Sequence, residues 1–241
     1  LGCFDIHAGS WSTDMLTELA IDEEKFPTVV PSTTVVGTIS RRASGEIGLP
    51  EGLPVVIGGG DGCCATAGAG IAGTGQAYLN LGTSAWLATP SDEPVFCENY
   101  ETFNFIYLDG KTYVPLGTMQ SAGHSFEWAL NQLHFTEKKG TDAFYQAVSE
   151  RLELIGADQK LYYLPYLLGE RSPWWNSDAR GCFIGLDATT DSYAMLKAVV
   201  EGVSFNLRII YESMSRNKDV SDLTIIGGLA RNNIWIKTLA D

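Results

Sequence analysis

Three times in this chain an aliphatic run stops abruptly at glycine. The runs are Val55-Val56-Ile57-Gly58-Gly59-Gly60-Asp61-Gly62, Leu79-Asn80-Leu81-Gly82-Thr83-Ser84 and Ile225-Ile226-Gly227-Gly228-Leu229-Ala230. Each reads as a strand entering a tight turn. Glycine after a strand lets the backbone approach a ligand closely, because no Cβ stands in the way. Asp61, directly after three glycines, is able to take a proton. The Gly82-Thr83-Ser84 turn offers backbone N–H groups and hydroxyls to an anion. Packing alone explains any one of these turns. Three on one apparent domain, two of them followed by a helix, point to a ligand cleft. Ligands in α/β sheets bind where strands run into helices, and helix N-termini present free N–H groups to phosphates.

The rest of the chain reads as a layered α/β domain. Ser12 is placed to cap a helix within 10–20, with Met15, Leu16 and Leu19 on one face. Residues 26–38 are extended and rich in proline and threonine, and a short helix runs from Ser40 to Ile47, ending at Gly48. Leu49-Pro50-Glu51-Gly52-Leu53-Pro54 is punctuation and the first boundary candidate. A buried strand over 55–58 then leads to a small-residue helix from Asp61 to Ile71. Strands are expected near 76–81, 84–89, 103–108 and 112–116, with a turn at Asp109-Gly110. Ser121 is placed to cap a helix carrying Phe126, Leu130 and Leu133, and another helix covers 141–153. After an apolar, aromatic stretch over 161–168, an irregular loop fills 169–181. The longest helix, about 191–216, presents Leu196, Val199, Val200, Val203, Leu207, Ile210 and Met214 on a broad face. A last buried strand over 222–226 enters Gly227, and Arg231-Asn232-Asn233 opens the final helix. Antiparallel strands first and strand–helix alternation afterwards give the α/β class.

Charge narrows the function. The 16 Lys+Arg against 29 Asp+Glu leave a net charge of −13. Such a field repels nucleic acid and anionic membranes, so neither is an expected partner. It also repels a free nucleotide, so a nucleotide site here must rely on local amides and a divalent cation. No apolar run is long enough to span a bilayer. The five cysteines (Cys3, Cys63, Cys64, Cys97, Cys182) form no CxxC pair, and only three histidines are present, so no metal site is expected. Free thiols in a reducing cytoplasm are the simplest reading. Leu1-Gly2-Cys3-Phe4-Asp5 lacks an initiator Met and Trp235–Asp241 stops within a helical pattern, so truncation at both ends is expected.

Two familiar nucleotide fingerprints fail. Gly110-Lys111-Thr112 has the end of a P-loop, but position 105 is Phe and the segment reads as a hairpin. A dinucleotide motif starting at Gly58 needs glycine at 63, which is Cys. What does fit is a set of motifs in order. They are Gly58-Gly59-Gly60-Asp61, Leu81-Gly82-Thr83-Ser84, Gly117-Thr118-Met119-Gln120-Ser121-Ala122-Gly123 and Leu164-Pro165-Tyr166. Gly169-Glu170-Arg171-Ser172-Pro173, Ala179-Arg180-Gly181-Cys182-Phe183-Ile184-Gly185-Leu186, Glu201-Gly202-Val203 and Gly227-Gly228-Leu229-Ala230-Arg231 follow. By these the chain resembles the FGGY family of carbohydrate kinases, within the actin–hexokinase–Hsp70 superfamily of ATPases. One departure is Ala194, where the family signature usually has a polar residue.

The resemblance implies an actin-like (ribonuclease H-like) fold, a mixed sheet flanked by helices, in two domains around a cleft. Residues 1–53 correspond to the tail of the first domain and the crossover, and 54–241 to most of the second, ATP-binding domain. It implies ATP-dependent phosphorylation of a sugar hydroxyl, with Mg²⁺ arriving on the ATP, and leaves a homodimer open. Asp61 matches the catalytic base; a helix cap is its plainer role. Gly82, Thr83 and Ser84 match a phosphate-binding turn, with Thr83 nearest the transferred group. Gly123 matches a glycine beside the nucleotide's phosphates or ribose, or else marks close packing. Gly227, Gly228 and Leu229 match the adenosine turn, with Asn232 at the base or ribose, or else a cap. Glu170 and Arg171 read as an ion pair that fixes their loop; Trp174 and Trp175 line a sugar face or pack beneath it. The Met119–Gly123 and Gly169–Pro173 stretches look most like members that convert D-xylulose to D-xylulose 5-phosphate. Trp175-Asn176 with Ala179-Arg180-Gly181 is also similar to members acting on gluconate. A non-catalytic actin-like nucleotide-binding module is the competing class. With half the cleft absent, the 241-residue chain alone is expected to be inactive.

Overall fold

The computed structural model describes residues 2–71, 73–96, 102–135, 140–156, 160–215, 220 and 222–241. Cys97 lies outside the described residues; Cys3, Cys63, Cys64 and Cys182 are free thiols. The first quarter is built from small local units. A hairpin of β1 (Phe4–Asp5) and β2 (Ser10–Trp11) leads to α1 (Thr13–Glu18), where Ser12 Oγ accepts from the Met15 N–H. Of the apolar face expected there, Leu16 is buried while Met15 and Leu19 stay exposed. β3 (Val35–Thr38) precedes α2 (Arg41–Ile47), which has its expected ends, a Ser40 cap and a left-handed Gly48 at φ +74°. β4 (Pro54–Val56) folds back antiparallel on β3, with Val35 opposite Val56.

The strand expected to be buried over 55–58 is not. Val55, Val56 and Ile57 are 37%, 52% and 53% exposed. The cause is topological: β3 and β4 form a separate two-stranded ribbon, and a ribbon buries side chains only where another layer packs on it. α3 (Asp61–Gly68) then follows its Gly60 cap and ends before the expected Ile71, because Gly70 turns left-handed at φ +76°.

Downstream the chain builds its core. β5 (Gln76–Leu81), β6 (Ala85–Ala88), β7 (Phe103–Ile106) and β8 (Tyr113–Met119) fall close to their expected positions. α4 (Gly123–Gln132) and α5 (Asp142–Glu153) follow, the latter capped by Thr141. β9 (Tyr162–Leu164) pairs antiparallel with β10 (Cys182–Ile184) across the irregular loop. α6 (Ser192–Ser215), β11 (Asp222–Ile226) and α7 (Asn233–Ala240) complete the chain. The five-stranded sheet runs β11-β5-β6-β8-β7, with β11 parallel to β5 and the rest antiparallel. β11, expected to be buried, is an edge strand with one neighbour, and Leu223 is 40% exposed.

Alternation along β5 sends Leu79 and Leu81 to one face and Tyr78 to the other. The first face packs against the seven apolar residues of α6 named above, all buried, with Phe126 and Leu130 of α4 and Trp235 of α7. The second holds Tyr78, Ala88, Val114 and Leu116, with Ala65 of α3 against them. The sheet is thus mixed and flanked by helices on both faces, as the sequence led one to expect. No helix among the described residues is long and apolar enough to cross a membrane.

Candidate active site

Two of the glycine turns lie at the same end of the sheet. β5 and β11 are parallel neighbours, so their C-terminal turns, 82–84 and 227–229, come out side by side. Gly227 makes this approach possible. It sits at φ +104°, and a Cβ there would fall 2.5 Å from the Leu81 carbonyl oxygen. Gly123 closes the third side, since its Cβ would meet the Gly82 oxygen at 2.6 Å and Leu229 Cδ1 at 3.0 Å. Gly82, Gly123, Gly227 and Leu229 therefore form one joint. Gly228 beside them faces open space.

That joint consumes donors expected to be free. The Gly123 N–H donates to the Gly82 carbonyl at 3.0 Å, and the N–H groups of Ala122 and His124 donate to the Thr83 carbonyl. The carbonyls of the 82–83 turn thus cap α4, and Ser121 does not. Its Oγ instead lies 3.2 Å from His124 Nδ1 and accepts from Ser125 Oγ. The Thr83 side chain remains exposed at the tip.

Asp61 is the first residue of α3, not its cap, which is Gly60. Oδ1 accepts from the Gly62 N–H at 2.8 Å, and Oδ2 has no protein partner among the described residues. A hydrogen-bond chain fixes this helix start to the sheet: Trp86 Nε1–H donates to Tyr78 Oη at 2.7 Å, and Tyr78 O–H to the Gly62 carbonyl at 3.1 Å. Gly59 beneath it is tight, since a Cβ would fall 2.3 Å from Leu108 Cδ2. Burial pushes the neighbouring Cys63 thiol up to about 11, which keeps it protonated and unreactive.

Asp61 and Ser84 open into one cleft of about 380 Å³. Trp86, Phe103, Phe105, Leu116 and Met119 give it apolar walls; Thr118, Gln120 and Arg171 add polar groups. Phe103 and Phe105 alternate along β7, a period-two signal available in the sequence but not read as a wall. A larger groove of about 900 Å³ lies between α5, α6, β11 and α7, but it contains none of the residues expected to do chemistry.

The Glu170–Arg171 ion pair is absent. Glu170 is 4% exposed, and its Oε1 accepts from the backbone N–H groups of Gln120 and Arg171, each at 2.8 Å. Arg171 is exposed and lines the cleft. Trp175 packs edge-on against Phe103, behind the cleft wall, with ring centroids 5.2 Å apart. Trp174 Nε1–H donates to Tyr166 Oη. Asn232 follows the glycine joint, its N–H donating to the Leu229 carbonyl at 3.0 Å. Its Oδ1 caps α7 at the Ile234 N–H and accepts from Ser149 Oγ. Among the described residues no group of three or more His, Cys, Asp or Glu is placed to hold a metal.

Two glycine turns are thus apposed at one end of the sheet, and one of them supplies Ser84 to the cleft that Asp61 lines. The chain belongs to the FGGY family of carbohydrate kinases: the family's C-terminal domain matches residues 77–241 and its N-terminal domain residues 1–68. It is 31% identical over 241 residues to a xylulose kinase of Staphylococcus xylosus, covering 99% of this chain and 48% of that one. A gluconokinase of Bacillus subtilis is 27% identical over 249 residues, with 100% and 48% covered. The ligand-bound xylulose kinase of Lactobacillus acidophilus superposes with a TM-score of 0.87 at 27% identity, over 99% of this chain and 48% of that one. The chain thus spans about half the length of the relatives it matches.

Proposed function

We propose that a protein carrying this chain transfers the γ-phosphoryl group of ATP to a sugar hydroxyl, converting D-xylulose to D-xylulose 5-phosphate. The observation that carries this reading is Asp61, which lines the same cleft as Ser84 and whose Oδ2 has no protein partner among the described residues. In this reading the Asp61 carboxylate takes the proton of the attacking hydroxyl. The sugar oxygen forms a bond to the γ-phosphorus, the bond from that phosphorus to the β,γ-bridging oxygen breaks, and ADP leaves. The proton on Asp61 then returns to solvent. Gly82, Thr83 and Ser84 receive the transferred phosphoryl group, with the Thr83 hydroxyl exposed for it. Gly123 acts by letting α4 sit against that turn. Gly227, Gly228 and Leu229 border the adenosine, and Asn232 reaches the base or ribose. Mg²⁺ would come with ATP and would offset the phosphate charge that this acidic chain repels; no side chain among the described residues is assigned to hold it.

Residues 1–53 are then the tail of the first domain with its crossover, and 54–241 most of the second. A reducing cytoplasm suits the four free thiols. A homodimer is the assembly to test by light scattering. Likeness to gluconokinase makes D-gluconate the second candidate substrate. The test is ADP release by the full-length protein across D-xylulose, D-gluconate and glycerol, repeated with Asp61→Asn. Turnover with D-xylulose that Asp61→Asn abolishes supports the reading. ATP hydrolysis independent of every sugar points instead to an actin-like nucleotide-binding module that phosphorylates no sugar.

A further inference from the structure

Behind the cleft wall lies a buried polar network that the proposed chemistry does not use. Glu170 is at its centre. Oε1 takes the N–H groups of Gln120, just past β8, and of Arg171. Oε2 accepts from Asn206 Nδ2 of α6 at 3.3 Å. Asn206 is 2% exposed, and its Oδ1 accepts from Tyr166 O–H at 3.3 Å. The loop is also stitched to β8 directly. The Ser172 N–H donates to the Thr118 carbonyl, and the Thr118 N–H to Ser172 Oγ, both at 3.0 Å. One carboxylate therefore joins the strand end, the loop and the longest helix, and two of the residues whose backbone it holds, Gln120 and Arg171, line the Asp61 cleft.

We propose that Glu170 is a positioning residue: its ionised carboxylate holds Gln120 and Arg171 in place beside Asp61, and protonation slackens that wall. The proposal rests on Asp61 being the base of the reaction. Its chemistry follows from donor counting. All three partners of the carboxylate are N–H donors, which suits an anion and not an acid. A proton on Oε2 faces Asn206 Nδ2, donor against donor. Flipping that amide to accept it would put Nδ2 against the Tyr166 hydroxyl, which now donates there. The backbone bonds to Oε1 also weaken, since charge-assisted bonds are roughly twice as strong as neutral ones. Burial is what brings this switch into reach, pushing the Glu170 carboxyl up to about 7 against the lowering effect of its two backbone donors and Arg171. Arg171 on its own loop and Tyr166 before it are the charged and titratable groups facing it. From β8 and α6 it meets the neutral Gln120 and Asn206, and Asp61 lines the cleft beyond.

The experiment measures kcat and KM against pH for full-length wild type, Glu170→Gln and Asn206→Leu, with Asp61→Asn as control. Glu170→Gln is expected to lower kcat about tenfold or more, as sub-ångström misplacement of reacting groups does. The KM for ATP should stay within about twofold, because no residue of this network belongs to the joint of Gly82, Gly123, Gly227 and Leu229. Asn206→Leu keeps the branched side-chain shape but removes one donor from the carboxylate. It should move the acidic limb of the kcat profile up by roughly one pH unit. A merely structural network would lower thermal stability and leave that limb where it was. If Glu170→Gln does not fold, the Asn206→Leu profile alone decides. An unmoved limb with a folded Asn206→Leu, or wild-type kcat in Glu170→Gln, overturns the proposal. Turnover by Asp61→Asn overturns instead the reading it rests on.

Discussion

β4 and β5 are both short apolar strands that run toward glycine, and they meet opposite environments. β5 is paired on both edges, by β11 and β6, and its Ala77, Tyr78, Leu79 and Leu81 are at most 2% exposed. Among the described residues β4 is paired on one edge, by β3, and its valines are 37% and 52% exposed. Yet each leads to one side of the cleft, β5 to Gly82–Ser84 and β4 to Asp61. The Gly82–Ser84 turn is therefore set by the core itself. Asp61 is set by cross-links that bypass β4: the Trp86–Tyr78–Gly62 chain and the Cys63 thiol on the Ile106 carbonyl. Apolar sequence makes a strand ready for burial, and only a second layer buries it.

The largest effect expected is at the loosely strung side. Asp61→Asn retains an acceptor for the Gly62 N–H but cannot take a proton. In the full-length enzyme kcat should fall by about 10² to 10⁴, with little change in the thermal midpoint. A folded variant with near-normal turnover breaks the assignment. Next come the two strands themselves. Leu79→Ala in β5 should cost about 2–5 kcal/mol in urea denaturation, and Val56→Ala in β4 less than about 1 kcal/mol. Equal losses would mean that β4 is packed as β5 is. The glycines repeat the contrast. Gly227→Ala drives a Cβ to 2.5 Å from the Leu81 oxygen in a left-handed backbone, and should cost about 3 kcal/mol or more. Gly58→Ala, at φ +75° with nothing within 4 Å, adds the backbone strain alone, about 1–2 kcal/mol. Denaturation midpoints of the two variants check the order.

What was legible followed from local rules. The 3.6-residue spacing of Leu196 to Met214 gave α6, and Ser40 with Gly48 gave both ends of α2. The meander needed only alternation and the Asp109-Gly110 turn, where Asp109 Oδ1 accepts from the N–H groups of Lys111 and Thr112. What was not legible depended on partners distant in sequence. Ser121 has the chemistry of a cap, but carbonyls some forty residues earlier reach the α4 N-terminus first. Glu170 beside Arg171 looks like an ion pair, yet its oxygens find Gln120 and Asn206 once the loop closes on β8 and α6. Val55 and Val56 carry the hydropathy of a core strand, and hydropathy does not say which layer arrives. Asp61 and Ser84 were named from motif order, whereas Gln120, Phe103 and Arg171 come to line their cleft only through tertiary placement.

The smallest effect concerns Asn232, where a cap and a nucleotide contact compete as explanations. The cap uses one atom, Oδ1, which takes the Ile234 N–H at 3.2 Å and the Ser149 hydroxyl at 2.5 Å. A contact to base or ribose would use the amide nitrogen. Asn232→Ser separates the two, because serine caps helices about as well as asparagine and adds no charge. Stability should then stay within about 0.5 kcal/mol, while loss of one hydrogen bond raises the KM for ATP roughly threefold to tenfold. Asn232→Ala removes both functions and should add about 1 kcal/mol of destabilisation. An unchanged KM in Asn232→Ser would make this residue a cap alone. The adenosine side of the cleft would then rest on Gly227, Gly228 and Leu229, on the core-set side of the molecule.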